Sequence, residues 1–149
     1  MTDGSTTAEA DIRQVIDEWA AAIRAKDVEQ VTRHYVPDLV FFSLAPPLKY
    51  EGMDAAGLAK WFATWEGPLE YSLHELRIHI GGDLALCHSL NWLGGTKVGG
   101  KENGLWFRHT LGLRLIHNQW KIVHEHESVP FYMDGSDRAA IDLTPATQG

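Results

Sequence analysis

Histidine and glutamate alternate towards the end of the chain, in the order His124, Glu125, His126, Glu127. If this stretch is a β-strand, successive side chains point to opposite faces, so the imidazoles share one face and the carboxylates share the other. Two imidazoles about 7 Å apart have a spacing that metal sites use, whereas a carboxylate beside an imidazole is a typical proton-transfer pair. Each face of this strand therefore offers its own chemistry.

The preceding segment, residues 105–116, supplies partners for both faces. A turn at His117-Asn118 joins it to residues 120–131, and a three-residue turn with a bulge would pair Leu115 with Gln119. His109 then falls on the same face as Glu125. Because this face is the more apolar of the two, we expect it to pack against helices and to line a cavity.

We predict that His109 and Glu125 are the catalytic residues, with His109 transferring the proton and Glu125 orienting the imidazole. The alternative is a partly buried ion pair that fixes the strand register or orients a ligand. Aromatic side chains would form the cavity walls, while an amide and a second carboxylate would position the substrate. These predicted ligand-binding residues are Tyr35, Trp61, Trp65, Asn91, Phe107 and Glu127.

The opposite face carries two further alternatives. His88 has the same strand parity as His124 and His126, and the three could form a metal site. Two arginines, Arg108 and Arg114, share that face and would repel a divalent metal, so we predict no metal and no other cofactor. Aromatic and arginine side chains are enriched at buried contacts, which predicts a homodimer interface. Its residues are Trp92, Trp106, Arg108, Trp120, His124 and His126.

Three N-terminal helices and a series of long strands must position these side chains. Asp27 is the predicted N-cap of a short second helix that carries Tyr35, and Asp54 is the N-cap of a third helix that carries Trp61 and Trp65. Strands are predicted at 39–44, 70–80, 84–93, 105–116 and 120–131. Helices followed by hairpins indicate an α+β fold, in which a strongly curved antiparallel sheet wraps around the helices and leaves a cone-shaped cavity.

Composition restricts the possible functions. The 149 residues fit a single domain, which we expect at 8–131, with tails at 1–7 and 132–149. The net charge of −7 argues against a nucleic-acid partner, and no apolar run is long enough to span a bilayer. The single cysteine, Cys87, and an N-terminus unlike a signal peptide predict a cytoplasmic protein without an internal disulfide.

Three stretches carry a resemblance to a known superfamily. They are the D-x-x-x-V-x-x-x-Y-x-x-D pattern of 27–38, the helix start Gly52-Met53-Asp54, and the ending 120–130, which reads WKIVHEHESVP. Together with the order of elements, they resemble the nuclear transport factor 2-like (NTF2-like) superfamily over about residues 8–131. The last strand is similar to the SnoaL-like, ketosteroid isomerase-like branch and to the association domain of calcium/calmodulin-dependent protein kinase II. The resemblance implies a cystatin-like roll that dimerises through the convex face of its sheet.

The ketosteroid isomerases of this superfamily use one Tyr and two Asp, and the matching positions here hold other residues. They are Trp19, the segment 42–44, and Thr110-Leu111. We therefore expect the fold of that branch without its catalytic residues. The expected function is small-molecule binding, as a cofactor-independent acid–base enzyme (isomerase, dehydratase, hydratase or cyclase) acting on an apolar or aromatic substrate. The alternative is a non-catalytic ligand-binding or oligomerisation domain, as the kinase association domain is.

Overall fold

A computed structural model describes residues 4–146, with side chains from residue 7 onwards. Three helices and six strands confirm the predicted α+β class. The helices are α1 (Gly4–Arg24), α2 (Val28–Thr32) and α3 (Ala55–Phe62). The strands are β1 (Tyr35–Phe42), β2 (Tyr50–Glu51), β3 (Trp65–Gly81), β4 (Leu84–Lys97), β5 (Glu102–Ile116) and β6 (Gln119–Ser128). None of the helices in the described range is long and apolar enough to cross a membrane.

Helix α1 packs through one apolar face, and α2 and α3 begin at their predicted N-caps. Ile12, Ile16 and Trp19 lie three or four residues apart on α1 and are almost completely buried. Asp27 caps α2 by accepting a hydrogen bond from the backbone N–H of Gln30 (3.1 Å), and Asp54 caps α3 in the same way from Gly57 (2.9 Å). Both predicted N-caps are confirmed.

The six strands form one sheet in the order β2-β1-β6-β5-β4-β3. Neighbouring strands are antiparallel, as expected, except β1 and β6, which run parallel. The register shifts twice along β3, between Glu66 and Glu70 and between His74 and Arg77. Such irregularities bend and twist a strand, and here they occur in the long β3–β4 hairpin.

Two elements begin or end elsewhere than predicted. Tyr35 does not continue α2, which ends at Thr32, but opens β1. Trp65 does not belong to α3, which ends at Phe62, but opens β3 and pairs with Lys97. Aromatic residues fit both a helix face and a strand, so the sequence pattern placed these two residues in the wrong element.

The last hairpin differs from the predicted register. Ile116 pairs with Gln119 across a two-residue turn, in which His117 and Asn118 both have positive φ (47° and 68°). Leu115 therefore faces Trp120 rather than Gln119, and Trp120 points inward with only 5% of its surface exposed. The prediction that Trp120 lies on the convex interface is wrong.

An irregularity between Gly112 and Leu113 then restores the predicted parity. Gly112 pairs with His124 and Leu113 with Ile122, which leaves Val123 as an extra residue on β6. As a result Glu125 and Glu127 lie on the concave face, which is also where the register predicted from the sequence places them.

The ends of the chain extend the predicted domain. Residues 1–3 and 147–149 of the predicted tails lie outside the described residues, and Gly4 already opens α1. After β6, Phe131 and Ala139 form an isolated antiparallel bridge, and Ala140 is buried. This part of the C-terminal segment thus packs onto the domain.

Candidate functional site

The concave face of the sheet and the helices enclose a cavity of about 500 Å³. Its wall is mainly apolar and aromatic, with Trp19 and Tyr71 at the buried end and the exposed Leu44 and Ala45 at the open end. Of the predicted site residues, five line this cavity: Tyr35, Trp61, Trp65, Glu125 and Glu127. Three others, His109, Asn91 and Phe107, lie behind the wall.

A chain of hydrogen bonds crosses four elements at the buried end. The indole N–H of Trp19 donates to the Tyr35 hydroxyl (2.9 Å), and that hydroxyl donates to Glu125 Oε1 (2.7 Å). His109 Nε2 lies 2.8 Å from the other oxygen, Oε2. The imidazole donates this hydrogen bond when its proton is on Nε2 and Glu125 is ionised, because a carboxylate only accepts hydrogen bonds. Glu125 is thus held on both oxygens.

His109 occupies the side of Glu125 away from the cavity. Its ring stacks on Trp19 with a centroid distance of 5.4 Å, and only 2% of the residue is exposed. The predicted pair is therefore brought together, but Glu125 rather than His109 faces the space where a ligand would lie. In this arrangement His109 can act on a ligand only through the carboxylate.

Glu127 stands beside Glu125 on the same strand and faces the cavity. Each of His109, Glu125 and Glu127 offers a ligand-type atom within 4.8 Å of the others. Burial, together with the charge of Glu125, raises the pKa of the Glu127 carboxyl well above its usual range, and a backbone hydrogen bond from Leu44 only partly opposes this shift. Glu127 therefore holds its proton more tightly than a solvated carboxyl group does.

Both phenols of the buried end keep their protons. Burial raises the pKa of Tyr35 well above its usual value, and the charge of Glu125 adds to the shift. Burial does the same for Tyr71, with Glu127 as the next cause. Both hydroxyls are therefore hydrogen-bond donors at any physiological pH.

Asn91 positions Tyr71 rather than contacting the cavity. Its side-chain amide donates to the Tyr71 hydroxyl (2.9 Å), and its oxygen accepts from Ser89 Oγ (2.6 Å). Phe107 packs against Tyr71 from the same layer, with ring centroids 6.3 Å apart. Sequence reasoning missed Tyr71, although its place two residues from Leu69 and Leu73 on an alternating strand is the signal for an inward side chain.

Several other wall residues were also missed. Phe41, Tyr50, Met53, Lys97 and Asn103 line the cavity, and most of them come from loops or strand ends. Phe41 carried a signal, because it lies two residues after Leu39 on β1 and both side chains point into the cavity. The others depend on how the loops fold over the open end.

The alternative metal set is not assembled. His88 and His126 pair with Thr110 from opposite sides, so a whole strand separates them. His88 Nε2 instead lies 3.2 Å from His79 Nε2, and His124 Nδ1 lies 2.7 Å from the carbonyl oxygen of Val40. Within the described part of the chain, only the group of His109, Glu125 and Glu127 has ligand atoms close enough to share one metal ion. A metal there would compete with Tyr35 and His109 for Glu125.

The convex face carries a separate aromatic patch. The rings of Trp92 and Trp106 lie 5.7 Å apart, and Trp92 donates its indole N–H to Glu70 (3.2 Å). Trp92 lies over the paired residues Gly94 and Gly104, where a side chain at either position would clash with its ring. Arg108 reaches Ser128 on the same face (3.0 Å).

Comparison with known proteins agrees with this architecture. A family model described as a SnoaL-like domain matches residues 12–132. This chain belongs to the SnoaL-like family. No curated protein matches the SnoaL-like chain.

Solved structures place this SnoaL-like domain among the NTF2-like proteins. An NTF2-like protein of unknown function from Pseudomonas putida KT2440 is 34% identical, with a TM-score of 0.84 over 94% of this chain and 98% of that one. The association domain of the C. elegans kinase CaMKII is 21% identical, with a TM-score of 0.67 over 85% and 99%. A protein with a cystatin-like fold from Caulobacter vibrioides is 16% identical, with a TM-score of 0.67 over 80% and 87%. The predicted family and fold class are both confirmed.

Proposed function

We propose that this SnoaL-like domain is a cofactor-independent acid–base enzyme that acts on an apolar or aromatic small molecule bound in the cavity. The reaction class is isomerisation, dehydration, hydration or cyclisation. These reactions share one requirement, which is a proton donor and a proton acceptor placed on the same part of the substrate. The proposal refines the roles expected from the sequence, because the cavity wall carries Glu125 and Glu127 in front of His109.

The observation that carries the proposal is the pair of carboxyl groups with different environments. Glu125 accepts a hydrogen bond from the Tyr35 hydroxyl on one oxygen and pairs with His109 Nε2 through the other. Glu127 has the raised pKa of a buried acid next to a negative charge. A carboxyl group with a raised pKa beside a second carboxyl group in a different environment supplies the acid and the base in many enzymes.

The residues then have distinct roles. Glu127 donates its proton to a leaving hydroxyl or to a carbonyl oxygen, and Glu125 accepts a proton from an adjacent carbon. His109 and Tyr35 are positioning residues, since they hold Glu125 through its two oxygens. The aromatic wall of Trp61 and Trp65 excludes water and contacts the apolar part of the substrate.

A general proton-transfer probe tests this proposal without knowledge of the natural substrate. In 5-nitrobenzisoxazole a base removes the proton on carbon 3, the N–O bond breaks, and the product is a coloured cyanophenolate. We expect the protein to accelerate this reaction, and Glu125→Gln to lower the rate about 100-fold, within the range of general-base catalysis. Tyr35→Phe and His109→Gln should shift the pH profile of the rate, which a purely structural role would not do.

Glu66→Gln is the matched control, because Glu66 is exposed and lies off the cavity wall. A rate that is the same in the wild type, Glu125→Gln and Glu66→Gln proteins would contradict the acid–base proposal. It would favour the non-catalytic ligand-binding domain.

We further propose that the convex face forms a homodimer interface. The aromatic patch of Trp92 and Trp106, with Arg108, His124 and His126, supports this because such side chains favour buried contacts. Leu84 and Leu86 extend the same surface with 45% and 50% exposure.

A further inference from the structure

We propose that the ligand of the cavity is an apolar acid whose anionic group binds Lys97 and whose acceptor atoms satisfy the indole N–H of Trp65. This inference rests on the proposed function and specifies its substrate class. It also assigns an orientation, with the anionic group at Lys97 and the reacting carbon at Glu125.

The first observation is an uncompensated cation on the cavity wall. Lys97 is the only Lys or Arg among the described residues that line the cavity. Its ammonium lies 3.8 Å from the ring centroid of Trp65 and 3.3 Å from the hydroxyl of Thr64. Within residues 7–146 no carboxylate forms an ion pair with it. An anionic group on the ligand would complete this site.

The second observation is independent and concerns the neighbouring residue. Trp65 Nε1 is the only buried side-chain nitrogen or oxygen without a hydrogen-bond partner in the described part of the chain. Trp65 itself is 5% exposed and lines the cavity. A buried N–H without an acceptor is unfavourable, so a ligand that supplies an oxygen here gains affinity.

The packing of Trp65 fixes which edge of the indole is available. A Cβ built on Gly95 would lie 3.1 Å from Cε3 and 3.3 Å from Cζ3, so this edge rests on the backbone of β4. Nε1 is on the opposite edge of the ring system and therefore faces away from that strand. Lys97 occupies one face of the same ring and is also the cross-strand partner of Trp65.

The distribution of charge along the cavity determines the orientation of the ligand. Glu125 and Glu127 lie at the level of β5 residues 109–111, whereas Lys97 is at the far end of β4. Negative charge at Glu125 repels an anion from the reacting end and Lys97 attracts it to the other. The amide of Asn103 also lines the cavity and adds hydrogen-bonding capacity.

Matched acid and amide probes test this inference. We would titrate the protein with 4-(2-naphthyl)butanoate and with 4-(2-naphthyl)butanamide by calorimetry at low ionic strength. The acid should bind about tenfold more tightly, as a charge-assisted hydrogen bond predicts. Lys97→Gln should abolish this preference, whereas Lys101→Gln, an exposed lysine of the adjoining loop, should retain it.

Trp65 has its own readout. In ¹⁵N-labelled protein the indole resonance absent from Trp65→Phe identifies Trp65, and it should move downfield when the acid binds. Equal affinities for acid and amide, an unchanged preference in Lys97→Gln, an unmoved Trp65 resonance, or no binding of either probe would each overturn the inference.

These outcomes are separable from those of the proposed function. If the protein shows no preference for the acid but Glu125-dependent proton transfer is intact, only the proposed binding of an anionic group at Lys97 is overturned. If the preference for the acid depends on Lys97 but proton transfer does not depend on Glu125, the enzymatic role is overturned and the binding of an anionic group at Lys97 is supported.

Discussion

His109 Nε2 lies 2.8 Å from Glu125 Oε2, and both residues are only 2% exposed. The imidazole thus satisfies a buried carboxylate from behind. Removing one partner of such a pair leaves the other unsatisfied, which costs more than the hydrogen bond itself contributes.

The first prediction follows from this relationship. His109→Leu should lower the free energy of unfolding by about 1–3 kcal/mol, measured by urea denaturation at pH 7. His109→Gln, which keeps a donor, should lose less. His88→Leu is the control, since His88 is exposed on the convex face. A His109→Leu protein as stable as wild type would show that Glu125 does not depend on the imidazole.

Tyr35→Phe removes one oxygen that joins two partners. Trp19 Nε1 then loses its acceptor and Glu125 Oε1 loses its donor. We expect a loss of about 2 kcal/mol of unfolding free energy. Tyr50→Phe removes a hydroxyl whose hydrogen bond to Pro46 is exposed, and it should change stability by less than about 0.5 kcal/mol. Equal effects of the two substitutions would argue against a buried network at Tyr35.

Glu127 should make stability depend on pH. Its pKa is raised in the folded protein, so the folded state keeps a proton that the unfolded chain releases. Stability should therefore fall as the pH rises from the unfolded carboxyl pKa, about 4.3, through the raised folded value, with a slope approaching about 1.4 kcal/mol per pH unit. Below that range both states are protonated and the effect disappears.

Glu127→Gln should abolish this slope, so its stability relative to wild type should increase from pH 5 to pH 8 in urea denaturation. The exposed Glu102→Gln should show a constant difference over the same range. If Glu127→Gln also shows a constant difference, the carboxyl titrates normally and cannot be the neutral acid of the proposed mechanism.

Gly95→Ala should displace Trp65. Gly95 has a φ of +152°, and an added Cβ would lie 3.1 Å from Trp65 Cε3. We expect a change in tryptophan fluorescence and a loss of about 1–3 kcal/mol of stability. Gly99→Ala separates strain from contact, because Gly99 also has positive φ (+104°) but an added Cβ would meet no atom within 4 Å. Fluorescence altered equally in both variants would contradict the packing of Trp65 on Gly95.

The convex face should control the oligomeric state. Trp106→Glu places a charge in the aromatic patch, and analytical ultracentrifugation should show the proposed dimer dissociating to a monomer. Leu48→Glu introduces the same charge at a residue that is 97% exposed in the β1–β2 connection, and the dimer should persist. A wild-type protein that sediments as a monomer would refute the interface.

The sequence predicts the parts of this molecule that depend on local chemistry. The N-caps Asp27 and Asp54 and the inward parity of Glu125 and Glu127 follow from side-chain hydrogen bonding and strand alternation. Trp120 shows where strand alternation alone fails. The turn is one residue shorter than expected, which moves the side chains that follow it to the opposite face of the sheet, and the irregularity at Val123 moves the later ones back. Parity at Glu125 is correct in the prediction only because these two changes cancel.

Contacts between distant segments lack such signals. The parallel joint of β1 and β6 and the approach of Lys97 and Asn103 to the cavity depend on how the whole sheet curves. Nothing in the residues around Lys97 indicates whether its ammonium faces bulk water or a ligand.

The hydrogen bond between Tyr35 and Glu125 joins residues 90 positions apart. During synthesis β1 emerges before β6, its parallel neighbour, and the strands β2 to β5 lie between them in the sequence. Closing so long a loop precedes any stabilisation that the contact provides, which makes this joint slow to form. Until then the nascent chain exposes an apolar strand and Glu125 lacks its hydrogen bond from Tyr35, so the sheet and the hydrogen-bond network around Glu125 are completed in the same late step.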